Sequence, residues 1–246
     1  MSNLRSWSHS KLVEFERCKR RTWLLHVARV PEPERPLPPG KTEHANDRGS
    51  RIHEAAEHYV NGSRPDLINE LHSFLPEFKQ LRELFKQGHV SLEGEWGYDE
   101  DWNPTDWKTA WHRSKLDVMV HHSETEATVI DIKTGRRMGN EMKHGEQVQL
   151  YAVDTALRYP KLEVINTELW YVDQDEITTN KFTRAQALRF KPGFDRRGQA
   201  ITSCTEWPAN PSVWTCRYCQ YKSSGDCKPG EATLGMTYNQ RKKFVA

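Results

Sequence analysis

Asp117, Asp131 and Lys133 are the residues whose types and spacing could do chemistry. Asp131 and Lys133 sit in the run Ala127-Thr128-Val129-Ile130-Asp131-Ile132-Lys133-Thr134-Gly135, where Val129 to Ile132 reads as a buried strand that stops at a glycine. Side chains alternate between the two faces of a strand, so Asp131 and Lys133 project to the same side. Alone, such a pair is an ordinary ion pair at a sheet end. The preceding segment, Arg113 to Val120, also alternates, with Leu116, Val118 and Val120 on one face, and the polar stretch His121 to Glu126 can turn. A hairpin centred near Glu124 pairs Val120 with Thr128 and Asp117 with Asp131, which puts the two aspartate Cβ atoms roughly 5 Å apart. Leu116, Val118 and Val120 then meet Ile130 and Ile132 on the other face. Two carboxylates at that distance repel each other unless a cation lies between them. Oxygen ligands favour Mg²⁺ or Mn²⁺, so with Lys133 alongside, the constellation is one for metal-assisted hydrolysis.

Several elements must position these groups. Arg48 to Val60 carries Ile52, Ala55, Ala56, Tyr59 and Val60 at helical spacing, with Asn46 or Asp47 as cap. His53 lies next to that stripe, with Glu57 one turn later, and taken alone it reads as a core-edge histidine. Leu67 to Phe85 reads as two helices divided near Pro76. Val90 to Tyr98 alternates as a first strand, with Glu93 and Glu95 facing either the site or solvent. Asp99 to Trp111 is a polar loop with three tryptophans, which either stack on bases or pack over the sheet edge. A helix from about Glu146 to Arg158 follows the Asp131–Lys133 strand, with Val148, Tyr151, Ala152, Thr155 and Ala156 inward; Gln147 and Tyr151 are one turn apart on it. Glu163 to Val172 reads as a strand, an extended segment runs to Phe182, and Thr183 caps a further helix. The basic residues Arg184, Arg189, Lys191, Arg196 and Arg197 form either a phosphate-facing surface or a solvated face.

The 246 residues allow one large domain or two small ones, and a hydrophobic fraction of 36% suffices for a core at this size. A formal charge of +2 marks no strongly basic protein, so any nucleic-acid contact must come from a local patch. No apolar run approaches the length of a membrane span and no signal-peptide core is present, which predicts a cytoplasmic protein without membrane contact. In that compartment clustered cysteines indicate metal rather than disulfides. Cys216-Arg217-Tyr218-Cys219 is a C-x-x-C with Cys227 eight positions on, a spacing that binds Zn²⁺ or an iron–sulfur cluster. Three local cysteines leave one ligand to be supplied by Cys204 or the distant Cys18.

Asp117 followed by Asp131-Ile132-Lys133 on the next strand resembles the signature of the PD-(D/E)XK nuclease superfamily. Arg48-Gly49-Ser50-Arg51-Ile52-His53 resembles the R-G-x-x-x-H helix of its RecB-like members, and Gln147-Val148-Gln149-Leu150-Tyr151 their Q-x-x-x-Y helix. The run from Ser8 to Cys18 is similar to the N-terminal part of the iron–sulfur subset, which includes the CRISPR-adaptation nuclease; Lys19 departs from it, since a proline often follows that cysteine. The resemblance implies an α/β restriction-endonuclease-like fold, a mixed β-sheet flanked by helices. It implies a single RecB-like nuclease domain over residues 1–246, with 48–182 as catalytic core and 1–30 plus 204–230 joined by a cysteine-ligated cluster. Its site residues would be His53, Asp117, Asp131 and the Ile132 carbonyl around Mg²⁺ or Mn²⁺, with Lys133, Gln147 and Tyr151 as catalytic or positioning groups. Cys18, Cys216, Cys219 and Cys227 would hold a [4Fe–4S] cluster. The activity implied is exonucleolytic hydrolysis of DNA at single-stranded ends, with recombination or CRISPR-adaptation proteins as partners. The alternatives are a catalytically silent DNA-binding or assembly subunit, and an endonuclease stabilised by zinc through Cys204. No G-x-x-x-x-G-K-[ST] motif is present.

Overall fold

A computed structural model describes residues 4–235. In chain order its helices and strands are α1 (His9–Arg17), α2 (Lys19–Thr22), α3 (Ala45–Val60), α4 (Leu75–Lys86), β1 (Val90–Tyr98), β2 (Pro104–Thr105), β3 (His112–His121), β4 (Glu126–Lys133), α5 (Glu141–Arg158), β5 (Val164–Tyr171), β6 (Glu176–Thr183), α6 (Arg184–Leu188), α7 (Lys191–Thr202), α8 (Val213–Cys216) and α9 (Lys228–Glu231). They fall into two compact units. One takes its described residues from Met1–Pro36 and Arg196–Ala246, the other is Leu37–Asp195, and the division lies within α7.

The larger unit is a six-stranded sheet in the order β2-β1-β3-β4-β5-β6. All neighbours are antiparallel except β4 and β5, whose parallel pairing needs the α5 crossover. The central strand β4 is buried on both faces, which is why its sequence is almost continuously apolar. The β3–β4 register pairs Val120 with Thr128 and Val118 with Ile130, as the hairpin reading predicts. One face packs under α3 and α4 through Ile52, Tyr59, Phe78, Val118, Val120, Ile130 and Ile132. The other packs against α5 and α6 through Met119, Ala127, Val129, Tyr151, Ala152 and Ala187.

Several expectations are corrected. Leu116 joins the α5 face, not the layer of Val118 and Val120. The β1–β3 ladder is interrupted between Leu92–Val118 and Gly94–Leu116, where Glu93 has φ +45°, and alternation changes across that break. Helix α5 starts five residues before Glu146, and burial from Leu150 to Ala156 runs around the helix rather than along one stripe, because it is enclosed by the sheet and α6. Helix α3 starts at Ala45 with His44 at its cap, and neither Asn46 nor Asp47 caps it. Trp102 and Trp111 are packed in the interior, 2% and 5% exposed, against Tyr98 and His112; they are not a base-stacking surface. In the basic run Arg184 bonds the Ala156 carbonyl, Lys191 lies over the Trp102 ring and Arg197 is paired with Glu16, so these three are engaged within the fold. Thr183 does cap α6, in a reciprocal box with Gln186.

In the smaller unit Ser8 accepts the first-turn bond of α1, and Leu12 and Phe15 point inward. A π-helical stretch, Trp23–Val27, continues α2 and buries Leu24 against Tyr221 and Cys227. Among the described residues no helix is long and apolar enough to cross a membrane.

Candidate metal-assisted active site

The site lies where β1, β3 and β4 run side by side, with α3 on one face of the sheet and α5 on the other. Glu93 stands opposite Asp117 at the ladder break, and Asp117 lies one step past the last β3–β4 pair, opposite Asp131. Asp117 Oδ2 accepts the Ile132 backbone N–H at 2.8 Å, which holds the carboxylate against β4. Its Oδ1 lies 3.1 Å from His53 Nδ1 on α3. The helix reaches this position because Arg48 donates to the Thr134 carbonyl at 3.0 Å and forks onto Asp173 at 2.7 and 3.1 Å. Gly49 permits the approach, since a Cβ there would stand 3.3 Å from Thr134 Oγ1.

His53, Glu93 and Asp117 each offer a donor atom within 4.8 Å of the others, the one such group among the described residues. They line a cleft with Glu54, Glu57, Lys115 and Thr134. Burial pushes the Glu93 carboxyl up, and the neighbouring Asp117 charge adds to it. Burial works against a charged His53, but the bond and charge of Asp117 outweigh it and raise the imidazole above its ordinary value.

Asp131 stands apart from that group, 4% exposed and turned toward α5. Its Oδ1 is 2.9 Å from the Tyr151 hydroxyl and 3.3 Å from Gln147 Nε2. Its Oδ2 is 2.6 Å from Lys133 Nζ but takes no hydrogen bond of ordinary geometry, a buried oxygen with coordinating capacity left over. Burial raises the Asp131 carboxyl; Lys133 draws it down and Asp117 pushes it back up, for a net upward shift. Lys133 Nζ donates to Gln147 Oε1 at 2.8 Å, and Gln147 Nε2 donates to the Tyr151 hydroxyl at 2.7 Å. Asp131, Lys133, Gln147 and Tyr151 are therefore one hydrogen-bonded set beside a second set of His53, Glu93 and Asp117. Burial, then the Asp131 charge, hold the Tyr151 phenol far above its ordinary value, so it serves as a donor.

The donors of the two sets are an imidazole nitrogen and carboxylate oxygens, which suit a hard or borderline divalent cation such as Mg²⁺ or Mn²⁺. The crowding of Glu54, Glu57, Glu93 and Asp117 along one cleft fits such an ion. Two further residues escaped the sequence reading. His144 Nδ1 is 2.9 Å from the Tyr171 hydroxyl, and Tyr171 is the register partner of Lys133. The available signal was spacing: His144 lies one helical turn before Gln147.

The chain's own sequence places this geometry. The profile of the PD-(D/E)XK nuclease superfamily matches residues 6–224. The chain belongs to that superfamily. It is a nuclease by membership, and PD-(D/E)XK nucleases use divalent metals, which the candidate acidic site accommodates. The solved structure of SSO0001 is similar to this PD-(D/E)XK chain at 16% identity over 94% of this chain and 89% of that chain, with a TM-score of 0.42. No curated protein matches it.

In the smaller unit Cys18, Cys216, Cys219 and Cys227 line one cavity together with Arg17, Arg21 and Lys222. Cys204 is not among its lining residues; its thiol donates to the Glu206 carbonyl at 3.0 Å. Burial pushes the Cys227 thiol up, and Cys18, Cys219 and Cys216 add to the shift. No three of the cysteine sulfurs come within 4.8 Å of one another.

Proposed function

We propose that this PD-(D/E)XK nuclease is a RecB-like, Mg²⁺- or Mn²⁺-dependent DNA exonuclease that acts at single-stranded ends and carries a [4Fe–4S] cluster. The observation that carries the reading is the placement of Asp131, Lys133, Gln147 and Tyr151 in one bonded set beside His53, Glu93 and Asp117.

His53, Asp117, Asp131 and the Ile132 carbonyl would hold the divalent ion, with Glu93 beside them. When bound, such an ion lowers the pKa of a water and polarises a phosphoryl oxygen. Lys133, held between Asp131 and Gln147, orients the attacking water and offsets charge developing on the phosphate. Tyr151 keeps Asp131 oriented by hydrogen bonding, and Gln147 fixes the ammonium of Lys133.

For the cluster, the four cysteines that share a cavity are the set expected from the resemblance. Arg17, Arg21 and Lys222 around the cavity would offset the charge of a negative centre. Partners in recombination or CRISPR adaptation follow from the resemblance alone.

Digestion of 5′- and 3′-labelled single- and double-stranded DNA with Mg²⁺ or Mn²⁺ tests the activity. Metal-dependent release of short products from single-stranded ends, abolished in Asp131→Ala, is expected; cleavage persisting in that variant would refute the site. Iron and acid-labile sulfide should be found in anaerobically purified protein. Zinc in their place would refute the cluster.

A further inference from the structure

We propose that Lys115 is the residue that takes hold of the DNA strand in the candidate cleft, its ammonium binding a phosphodiester next to the one that is cut. This rests on the nuclease reading of the cleft and adds a substrate-binding residue to it. The observation is one of charge. The cleft wall carries Glu54, Glu57, Glu93 and Asp117, and Lys115 is the one lysine or arginine among the described residues that line it. A wall of acids repels a polyanion, so an incoming phosphate meets a fixed positive charge on that wall only at Lys115.

The position suits a neighbouring phosphate. Lys115 lies on β3 two residues before Asp117 and is the register partner of Glu95 on β1. Two residues along a strand span roughly 7 Å. An anion held by Lys115 therefore stands beside the group of His53, Glu93 and Asp117 rather than within it.

The two lysines near these acids differ in freedom. Lys133, its side chain 17% exposed, stands 2.6 Å from Asp131 Oδ2 and donates to Gln147 at 2.8 Å. The Lys115 side chain is 58% exposed, with its ammonium 3.4 Å from a Glu95 oxygen and 3.9 Å from a Glu93 oxygen. Ion pairs so loose and so open to water contribute little and are readily exchanged. A phosphate offers the same ammonium short, charge-assisted hydrogen bonds in their place.

Glu93 links this exchange to the metal, because it belongs both to the Lys115 pair and to the candidate ion-binding group. A divalent ion drawn to His53, Glu93 and Asp117 competes with Lys115 for the Glu93 carboxylate and leaves the ammonium freer for phosphate. By reciprocity, removing the ammonium leaves Glu93 freer for the ion.

The test pairs two binding measurements on the full-length chain. One is fluorescence anisotropy of a labelled oligo-dT over a series of salt concentrations, in EDTA and with Ca²⁺ in place of Mg²⁺. The other is a calorimetric Mn²⁺ titration without DNA. Lys115→Gln should weaken oligo-dT binding about tenfold or more in Ca²⁺, as for one charged contact. It should also flatten the slope of log K against log salt by about 0.7, the share of one phosphate on a single strand. Lys115→Arg should restore both, and Lys115→Gln should bind Mn²⁺ as tightly as the wild-type chain or more so. Unchanged affinity and slope in Lys115→Gln would overturn the proposal, as would failure of Lys115→Arg to restore them. Weaker Mn²⁺ binding in Lys115→Gln would also overturn it, since the lysine would then only prop the acids in place. So would absence of oligo-dT binding by the wild-type chain in both buffers. Failure of the nuclease reading would appear separately, as a wild-type chain that binds oligo-dT but cuts none with Mg²⁺ or Mn²⁺.

Discussion

At the level of single residues the proposed chemistry turns on Lys133, whose charge is placed by two neighbours, Asp131 and Gln147. Removing it leaves the buried Asp131 with Gln147 and Tyr151 alone. Lys133→Ala should lower kcat by about 10²- to 10³-fold, the usual cost of losing one preorganised charge-stabilising group, while Gln147→Ala should cost less, about tenfold, as for one hydrogen bond. Single-turnover digestion at saturating metal separates the two. His53 adds a pH dependence. Its folded-state pKa lies above its ordinary value, so protons compete with metal for the site until the pH exceeds that raised value. Mn²⁺ affinity, read by calorimetry on the intact chain, should therefore fall as pH is lowered through that range, and His53→Ala should bind Mn²⁺ more weakly with a flatter profile. By the same sign, the His53–Asp117 pair stabilises the metal-free chain below the unfolded value near 6.5 and loses that contribution as pH rises through the folded value.

Helix α5 is the element that joins the candidate site to stability. It presents Gln147 and Tyr151 to Asp131, and two turns away it buries Asp154 against His112 on β3 at 3.0 Å, both side chains fully enclosed. Tyr98 donates to the Asp154 carbonyl at 2.7 Å, which ties β1 to the same point. Asp154→Ala leaves His112 enclosed without its carboxylate, and the loss should be about 3–5 kcal/mol in urea unfolding. At the start of α5, burial and then the Lys133 charge push His144 down to about 4. In the unfolded chain it titrates near 6.5, so folding takes up fewer protons between these values. Stability should be full above 6.5 and fall as pH drops toward 4, more steeply than in His144→Asn, as thermal unfolding across that range would show. The register of β3 on β4 was legible from sequence because a polar turn and two alternating runs leave one pairing that buries both. The start of α5 was not, because Glu141 to Gly145 has no apolar stripe and is held by its place after the β4 strand.

For the whole molecule, the chain returns on itself: Cys18 near the beginning shares a cavity with Cys216, Cys219 and Cys227 near the end. If these four hold the proposed cluster, its binding energy is folding energy for the smaller unit. Cys18→Ser should then lower Tm by on the order of 10 °C, as a loss of several kcal/mol does in a chain of this size, and should bleach the iron–sulfur absorbance. Cys204→Ser should do neither, since Cys204 makes only a local bond to the Glu206 carbonyl.

The sequence by itself determined the superfamily, the order of the strands along the chain, and the pairing that sets Asp117 opposite Asp131. Those follow from local rules: alternation on strands, 3.6-residue periodicity on helices and the spacing of a few motifs. Only the tertiary structure decided how the site divides. It turned Asp131 toward Lys133, Gln147 and Tyr151, and it gathered Glu93 with His53 and Asp117, where sequence left Glu93 facing either way. The reason is the backbone at Glu93, whose φ of +45° interrupts the ladder and has no local signal in the sequence. The choice of Cys18 over Cys204 at the cavity was likewise a matter of how distant segments pack, which no spacing along the chain encodes.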